Sequence, residues 1–181
     1  MKSTIAYIHG WGGSPESRIA NLIAQAFPDD RFVCPHLDYT MDPRVLKNEL
    51  EAMIAQLFNE ADPIIVGSRE GGFWADILGA TYGLKTVLIN PFLNVEQTMR
   101  RYDLPESYFV QYQKMRKSAA RFDRSHMAVF VGSNDISRAH TKITYTNPTM
   151  LNGLYHEELD VTPVIATIRN MIHSHGCEKQ G

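Results

Sequence analysis

An apolar run, Pro63-Ile64-Ile65-Val66, passes directly into Gly67-Ser68-Arg69-Glu70-Gly71-Gly72 and then into Phe73-Trp74-Ala75-Asp76-Ile77-Leu78. The order is strand, glycine-flanked tight turn, helix, which is the context of a nucleophile elbow, G-x-S-x-G. An elbow needs small residues two before and two after its central position, because strand and helix backbones crowd there and the turn is strained. Gly67 and Gly71 meet that need and fix the frame, with Gly72 as a further small residue behind them. The central position is then Arg69. An arginine keeps its proton at any ordinary pH and cannot attack a carbonyl. Centring the frame on Ser68 instead puts Val66 and Glu70 at the flanks, where both side chains clash. Ser68 therefore falls in the spacer slot and remains the alternative nucleophile.

Strand and helix patterns alternate along the whole chain. Ile5 to Ile8, Phe32 to Pro35, Ile64 to Val66, Thr86 to Ile89 and Ala128 to Val131 read as strands, with Leu151 to Tyr155 as a weaker sixth. Helical spacing runs over Ser17 to Phe27, Pro43 to Ala61, Tyr108 to Ala120 and Asp160 to His173. In the second of these, Leu46, Leu50, Met53, Ile54 and Leu57 share one face, Pro43 suits the first turn and Asp42 the N-cap. Strands alternating with helices imply a mostly parallel sheet covered on both faces: a three-layer α/β domain of about six strands. With 181 residues, 44% hydrophobic and 21% charged, the composition is that of one globular domain spanning 1–181. Lys+Arg 18 against Asp+Glu 20 gives a net charge of −2, which argues against a dedicated nucleic-acid binder. No apolar segment of signal-peptide length opens the chain, and Cys34 and Cys177 form no disulfide framework, so a cytoplasmic protein that engages no membrane is expected.

Three further signals follow strands, where sites in such sheets lie. His9-Gly10-Trp11-Gly12-Gly13-Ser14-Pro15 succeeds the first strand. A His-Gly turn there supplies one backbone N–H of an oxyanion hole, that of Trp11, and the residue after the elbow centre, Glu70, supplies the other. The same glycine-rich turn into a helix equally suits a phosphate. Asp135, in Val131-Gly132-Ser133-Asn134-Asp135, stands where a hydrolase triad has its carboxylate, and His156 precedes the last helix. Elbow, Asp135, His156 is the α/β-hydrolase order of nucleophile, acid and base. Each residue also has a plainer reading: Asp135 as a helix cap, His156 as a loop histidine, Trp11 as a core aromatic, Arg69 as a solvated charge.

Tyr7-Ile8-His9-Gly10-Trp11, Ser14-Pro15, Ser17, Val66-Gly67-Ser68-Arg69-Glu70-Gly71-Gly72-Phe73-Trp74-Ala75 and Ile89-Asn90-Pro91 together resemble the YqiA/YcfP-type small bacterial esterases, which are minimal α/β-hydrolases. The resemblance is clearest up to Pro91. It implies an α/β-hydrolase fold, with Asp135 as triad acid and His156 as base. Members with a serine at the elbow are taken to be carboxylesterases, and this chain departs from them at Arg69.

The resulting expectation is an esterase-like protein that is catalytically impaired, with Arg69 and the two N–H donors suited to a small anionic or acyl ligand. The alternative is an active carboxylesterase or thioesterase using Ser68 or a His156-activated water. No cofactor or metal is expected; His173, His175 and Cys177 form a string that reads as a frayed tail. The segment 93–120, with Met99, Tyr102, Leu104, Tyr108, Phe109 and Tyr112, is expected to form a short lid or a core helix.

Overall fold

The computed structural model of the chain describes residues 2–58, 63–96, 100–133, 145, 148–152 and 158–174. Six strands, β1 (Thr4–Ile8), β2 (Arg31–Val33), β3 (Pro63–Ser68), β4 (Lys85–Ile89), β5 (Met127–Gly132) and β6 (Thr149–Leu151), form one sheet in the order β2-β1-β3-β4-β5-β6. Every neighbouring pair is parallel. Five helices flank it among the described residues: α1 (Arg18–Ala26), α2 (Pro43–Phe58), α3 (Glu70–Tyr82), α4 (Glu106–Ala119) and α5 (Thr162–His173).

Strand alternation sorts the side chains into two layers. Ile5, Tyr7, Ile64, Val66, Val87, Ile89 and Phe130 face one side, where Ile19 and Ile23 of α1 and Val164 and Ile168 of α5 cover them. Ala6, Ile8, Ile65, Leu88, Val129 and Val131 face the other, beneath α2, α3 and α4. From α2, Leu46, Leu50, Ile54 and Leu57 are each at most 1% exposed, with Met53 packed at their margin. Burial of each such side chain favours folding by roughly 1.5–3 kcal/mol. Helix α3 is buried from Glu70 to Ala80, because it is enclosed between the sheet and α4.

Several element boundaries differ from the sequence reading. The second strand is Arg31–Val33, ending before Pro35, and the sixth is Thr149–Leu151, earlier than expected. The elbow helix begins at Glu70 and runs to Tyr82, where Gly83 closes it at φ 65. Asp42 does cap α2: its Oδ1 accepts the Arg44 N–H at 2.8 Å. No helix of the described residues is long and apolar enough to cross a membrane.

Chain direction reverses across the pair β1 and β3: the chain leaves β1 to form β2 on one side, then returns to β3 on the other. Ligands of open parallel sheets bind in the crevice at such a switch point, beyond the carboxyl ends of the strands. The ends of β1 and β3 carry His9-Gly10-Trp11 and Arg69-Glu70.

Candidate active site at the elbow

Arg69 sits alone between β3 and α3 at φ 56, ψ −122. A residue with a Cβ is held in that region only where its surroundings dictate it, at a cost of roughly 1–3 kcal/mol. Here the dictating contacts are visible. The Arg69 N–H bonds Ile89 O at 3.2 Å, and Arg69 O accepts from Gly72 N at 3.0 Å and Phe92 N at 2.8 Å. A Cβ on Gly67 would stand 2.4 Å from Gly71 O, one on Gly71 2.0 Å from Ile8 O, and one on Gly72 2.7 Å from the Pro91 Cβ. The three glycines are thus required by close approach of strand, helix and the turn after β4. That turn is itself fixed by Asn90, at φ 47, whose Oδ1 accepts the Gly132 N–H at 2.7 Å and so ties the ends of β4 and β5 together.

The Arg69 side chain is half-buried, and its guanidinium lies 4.6 Å from the centre of the Phe92 ring. That ring is brought in by the bond from the Phe92 N–H to Arg69 O. Arg69, Trp11, Gly10, Gly12, Ser14 and Arg18 line a cleft of about 390 Å³.

Glu70 is buried, 5% exposed. Its Oε2 accepts the Trp11 N–H at 3.0 Å, so a carboxylate of the chain lies at one of the two backbone donors named from the sequence. Burial pushes the Glu70 carboxyl above the ordinary carboxylate range, while hydrogen bonds from its own N–H and that of Trp11, and the nearby Arg69 charge, pull it back. Trp11 is held from outside by Tyr102, stacked at 4.1 Å and 18°, and from below by Tyr39, whose hydroxyl bonds His9 O.

Ser68 is 2% exposed, and its hydroxyl pairs with Tyr7 Oη at 2.8 Å. It follows Ile64 and Val66 at strand period, so it faces the α1 side, where Ser68 and Tyr7 line the same cleft as Arg69. Burial raises the Tyr7 phenol to about 12, so Tyr7 is no base for it.

His9 is also buried. Its Nδ1 bonds Gly10 O at 2.8 Å and its Nε2 meets the Leu37 N–H at 3.2 Å. Nε2 must accept there, so the ring is neutral with its proton on Nδ1. Burial lowers its pKa, in keeping with that assignment. His9 therefore braces the loop after β1 and is not a base. A neutral buried histidine contributes stability that is present above the unfolded value near 6.5 and is lost as pH falls toward its lower folded value. The urea midpoint of the native protein is expected to drop between pH 7.5 and 5.5, and His9→Gln to lose that part of the slope. Proton NMR finding the His9 ring charged at pH 6.5 would contradict this assignment.

Asp135 and His156 lie outside the described residues, as do Met99, His175 and Cys177. Among the described residues no group of three His, Cys, Asp or Glu side chains is placed to hold a metal. Cys34 is a free thiol, pushed up to about 12 by burial.

An all-parallel six-stranded sheet with a strained strand-to-helix turn at its switch point defines an α/β-hydrolase fold, and solved structures agree. Est1E from Butyrivibrio proteoclasticus superposes with a TM-score of 0.74 at 13% identity, covering 94% of this chain and 87% of that one. A structure from the metagenome-derived lipolytic enzymes LipS and LipT matches with a TM-score of 0.74 at 11% identity, over 94% and 93% of the two chains. The esterase of Pyrobaculum calidifontis matches at 0.60 and 16% identity, over 94% and 77%. At these identities the likeness is one of fold. The chain belongs to UPF0227, an uncharacterised protein family whose profile matches residues 4–132. Family members from Vibrio vulnificus (strain CMCP6) and Shewanella sediminis (strain HAW-EB3) are each 34% identical over 108 residues, 58% of this chain. These matches span only 59% and 60% of the relatives' own length.

Proposed function

We propose that this protein is a binding protein on an esterase-like fold, in which Arg69 takes the place of an elbow nucleophile and receives a small anionic or acyl ligand. The observation that carries the reading is Arg69 at φ 56, ψ −122, on the wall of the switch-point cleft. An arginine gains nothing from such a backbone unless its charge is wanted at that point. Its planar fork suits a carboxylate or phosphate, and the Phe92 ring supports its face. Trp11 forms part of the wall of the same cleft, and Tyr102 stacked on it holds that wall in place. The competing esterase reading is disfavoured at Ser68, which is buried and paired with Tyr7.

Without a nucleophile, the donors and binding alone leave about 10³–10⁴-fold over the water reaction in a serine hydrolase. Short-chain acyl esters are therefore expected to be hydrolysed close to background by the native protein, and a serine-directed phosphonate to leave it unlabelled by mass spectrometry. Arg69→Ser is the informative variant: labelling at residue 69 is expected if Asp135 and His156 complete the arrangement. Stoichiometric labelling of native Ser68 would replace this reading with the esterase one.

A further inference from the structure

We infer that the valley between α2, α3 and α4 is a binding site for a small soluble phosphate monoester that carries an apolar chain or ring. The valley shares no residue with the elbow cleft. Its α3 wall, Ile77 and Thr81, lies about 10 to 16 Å along the helix axis from Glu70.

Lys114, Arg116, Lys117, Arg121 and Arg124 stand close together in 114–124, with Asp123 as the one acid of that stretch, in a chain whose net charge is −2. Two of these cations are spent inside the fold: Arg116 pairs with Glu96 at 2.6 Å and Arg124 with Asp76 at 2.8 Å. Lys114 and Arg121 have no carboxylate within ion-pair distance among the described residues. Both are exposed, and both line a cavity of about 350 Å³. Lys47 reaches the same cavity from α2. Its ammonium gives one N–H to Glu51 at 2.5 Å and keeps two further donors. Compensation of the α4 dipole accounts for Lys117 in the last turn. It does not account for Lys114, which lies further from the helix end, or for a cation arriving from α2.

Two unpaired positive charges match one dianion. A phosphate monoester carries about −1.5 to −2 at pH 7 and offers three strong acceptor oxygens. The hydroxyls of Thr81 and Ser118 line the cavity as further donors. The Arg121 guanidinium lies 5.0 Å from the centre of the Phe122 ring, which supports a planar fork suited to phosphate. This turn is fixed before any ligand arrives. Arg124 Nη1 donates to Ala119 O at 3.2 Å and Phe122 O at 3.1 Å, while Nε and Nη2 hold Asp76 of α3. The floor is apolar: Ile77 and Ala119 are buried, and Met115 and Phe122 are half-buried against the core. The carbon part of the ester lies on that floor and the phosphate at the rim. A concave valley between three helices suits a small molecule, because a flat membrane surface would touch only the rim.

The test is calorimetric titration with hexyl phosphate at pH 7.5, run on native protein and in an Arg69→Ala background that removes anion binding at the elbow. One site is expected in the Arg69→Ala background. Adding Lys114→Gln or Arg121→Gln there is expected to weaken it about tenfold each, the loss of one charged hydrogen-bonding partner. Lys117→Gln removes the same charge from the same helix without touching the cavity, and is expected to change affinity less than about twofold. Inorganic phosphate is expected to bind at least about tenfold more weakly than hexyl phosphate, the equivalent of about two buried methylenes. Urea midpoints of the variants equal to that of their background show that the fold is kept. Hexyl phosphate binding that disappears with Arg69→Ala overturns this inference and puts the ligand at the elbow. Equal effects of Lys117→Gln and Lys114→Gln, or equal affinity for hexyl phosphate and inorganic phosphate, reduce the valley to a diffuse positive surface and overturn it as well. Binding to vesicles of phosphatidic acid but not to soluble hexyl phosphate would replace the small ligand with a membrane surface.

Discussion

Gly71→Ala is expected to abolish soluble, folded protein or to lower its urea midpoint by the equivalent of about 3 kcal/mol or more. The new Cβ would meet Ile8 O at 2.0 Å and both Ile8 C and His9 O at 2.6 Å. All three are backbone atoms of a strand end, not tips of side chains that can swing aside. Strand β1 is clamped between β2 and β3, so it cannot retreat. Helix α3 cannot lift either, because α4 closes over it, with the Tyr112 ring against Phe73 and Trp74. Overpacking a core usually costs about 1–3 kcal/mol; contact between two backbones leaves no relaxation route, so this case belongs at or beyond the upper end. Native domains have only about 5–15 kcal/mol in total. Gly83→Ala is the control: nothing lies within 4 Å of its added Cβ, and only the φ of 65° opposes it. About 1–2 kcal/mol is expected there. Equal midpoints for the two variants would show that the crowding at Gly71 is relieved some other way.

The fold was readable because its signals are redundant. Alternation along β1 and β3 marks both buried faces, the α2 stripe marks one amphipathic helix, and Gly67 and Gly71 at fixed spacing mark the elbow. Edge elements were read less well. Arg31–Val33 and Thr149–Leu151 are short strands with partly exposed faces, so their hydrophobic pattern is weak and their ends are set by pairing with β1 and β5. At the site, sequence order brought Trp11 and Glu70 into view as N–H donors. It did not reveal that the Glu70 side chain folds back onto Trp11, because that depends on a loop 59 residues away in sequence. Phe92 under Arg69 was equally hidden, since it arrives through a main-chain bond that carries no residue signature. The burial of Ser68 did have a signal. It sits two residues beyond Val66 on a strand, and continuing the alternation places it on the Tyr7 face. His9 shows the opposite case: a histidine beside glycines suggests chemistry, whereas its two ring nitrogens are both committed to backbone groups.

Arg69→Ala and Arg69→Gly are expected to weaken binding of small carboxylates equally, by more than tenfold, while separating in stability. Hydrogen bonds to a charged group contribute about 1.5–3 kcal/mol, which corresponds to roughly ten- to hundredfold in affinity. Both variants also lose the contact over Phe92, worth about 0.5–1 kcal/mol at a half-exposed position, so that loss cancels between them. What differs is the backbone. At φ 56, ψ −122 an alanine keeps the strain imposed by its Cβ and a glycine does not. Relief of roughly 1–3 kcal/mol is offset by about 0.5–1 kcal/mol for the greater freedom of glycine in the unfolded chain. Arg69→Gly is therefore expected to exceed Arg69→Ala by about 1 kcal/mol in urea unfolding. Arg69→Lys keeps the charge but not the planar fork, so it is expected to restore binding only in part. A trade of this kind, stability given up locally to hold one charged side chain at the mouth of a cleft, is what a binding role for Arg69 requires. If carboxylate affinity is the same in native protein, Arg69→Ala and Arg69→Gly while the stability order holds, the turn is strained for reasons of fold alone and the ligand, if any, is held elsewhere.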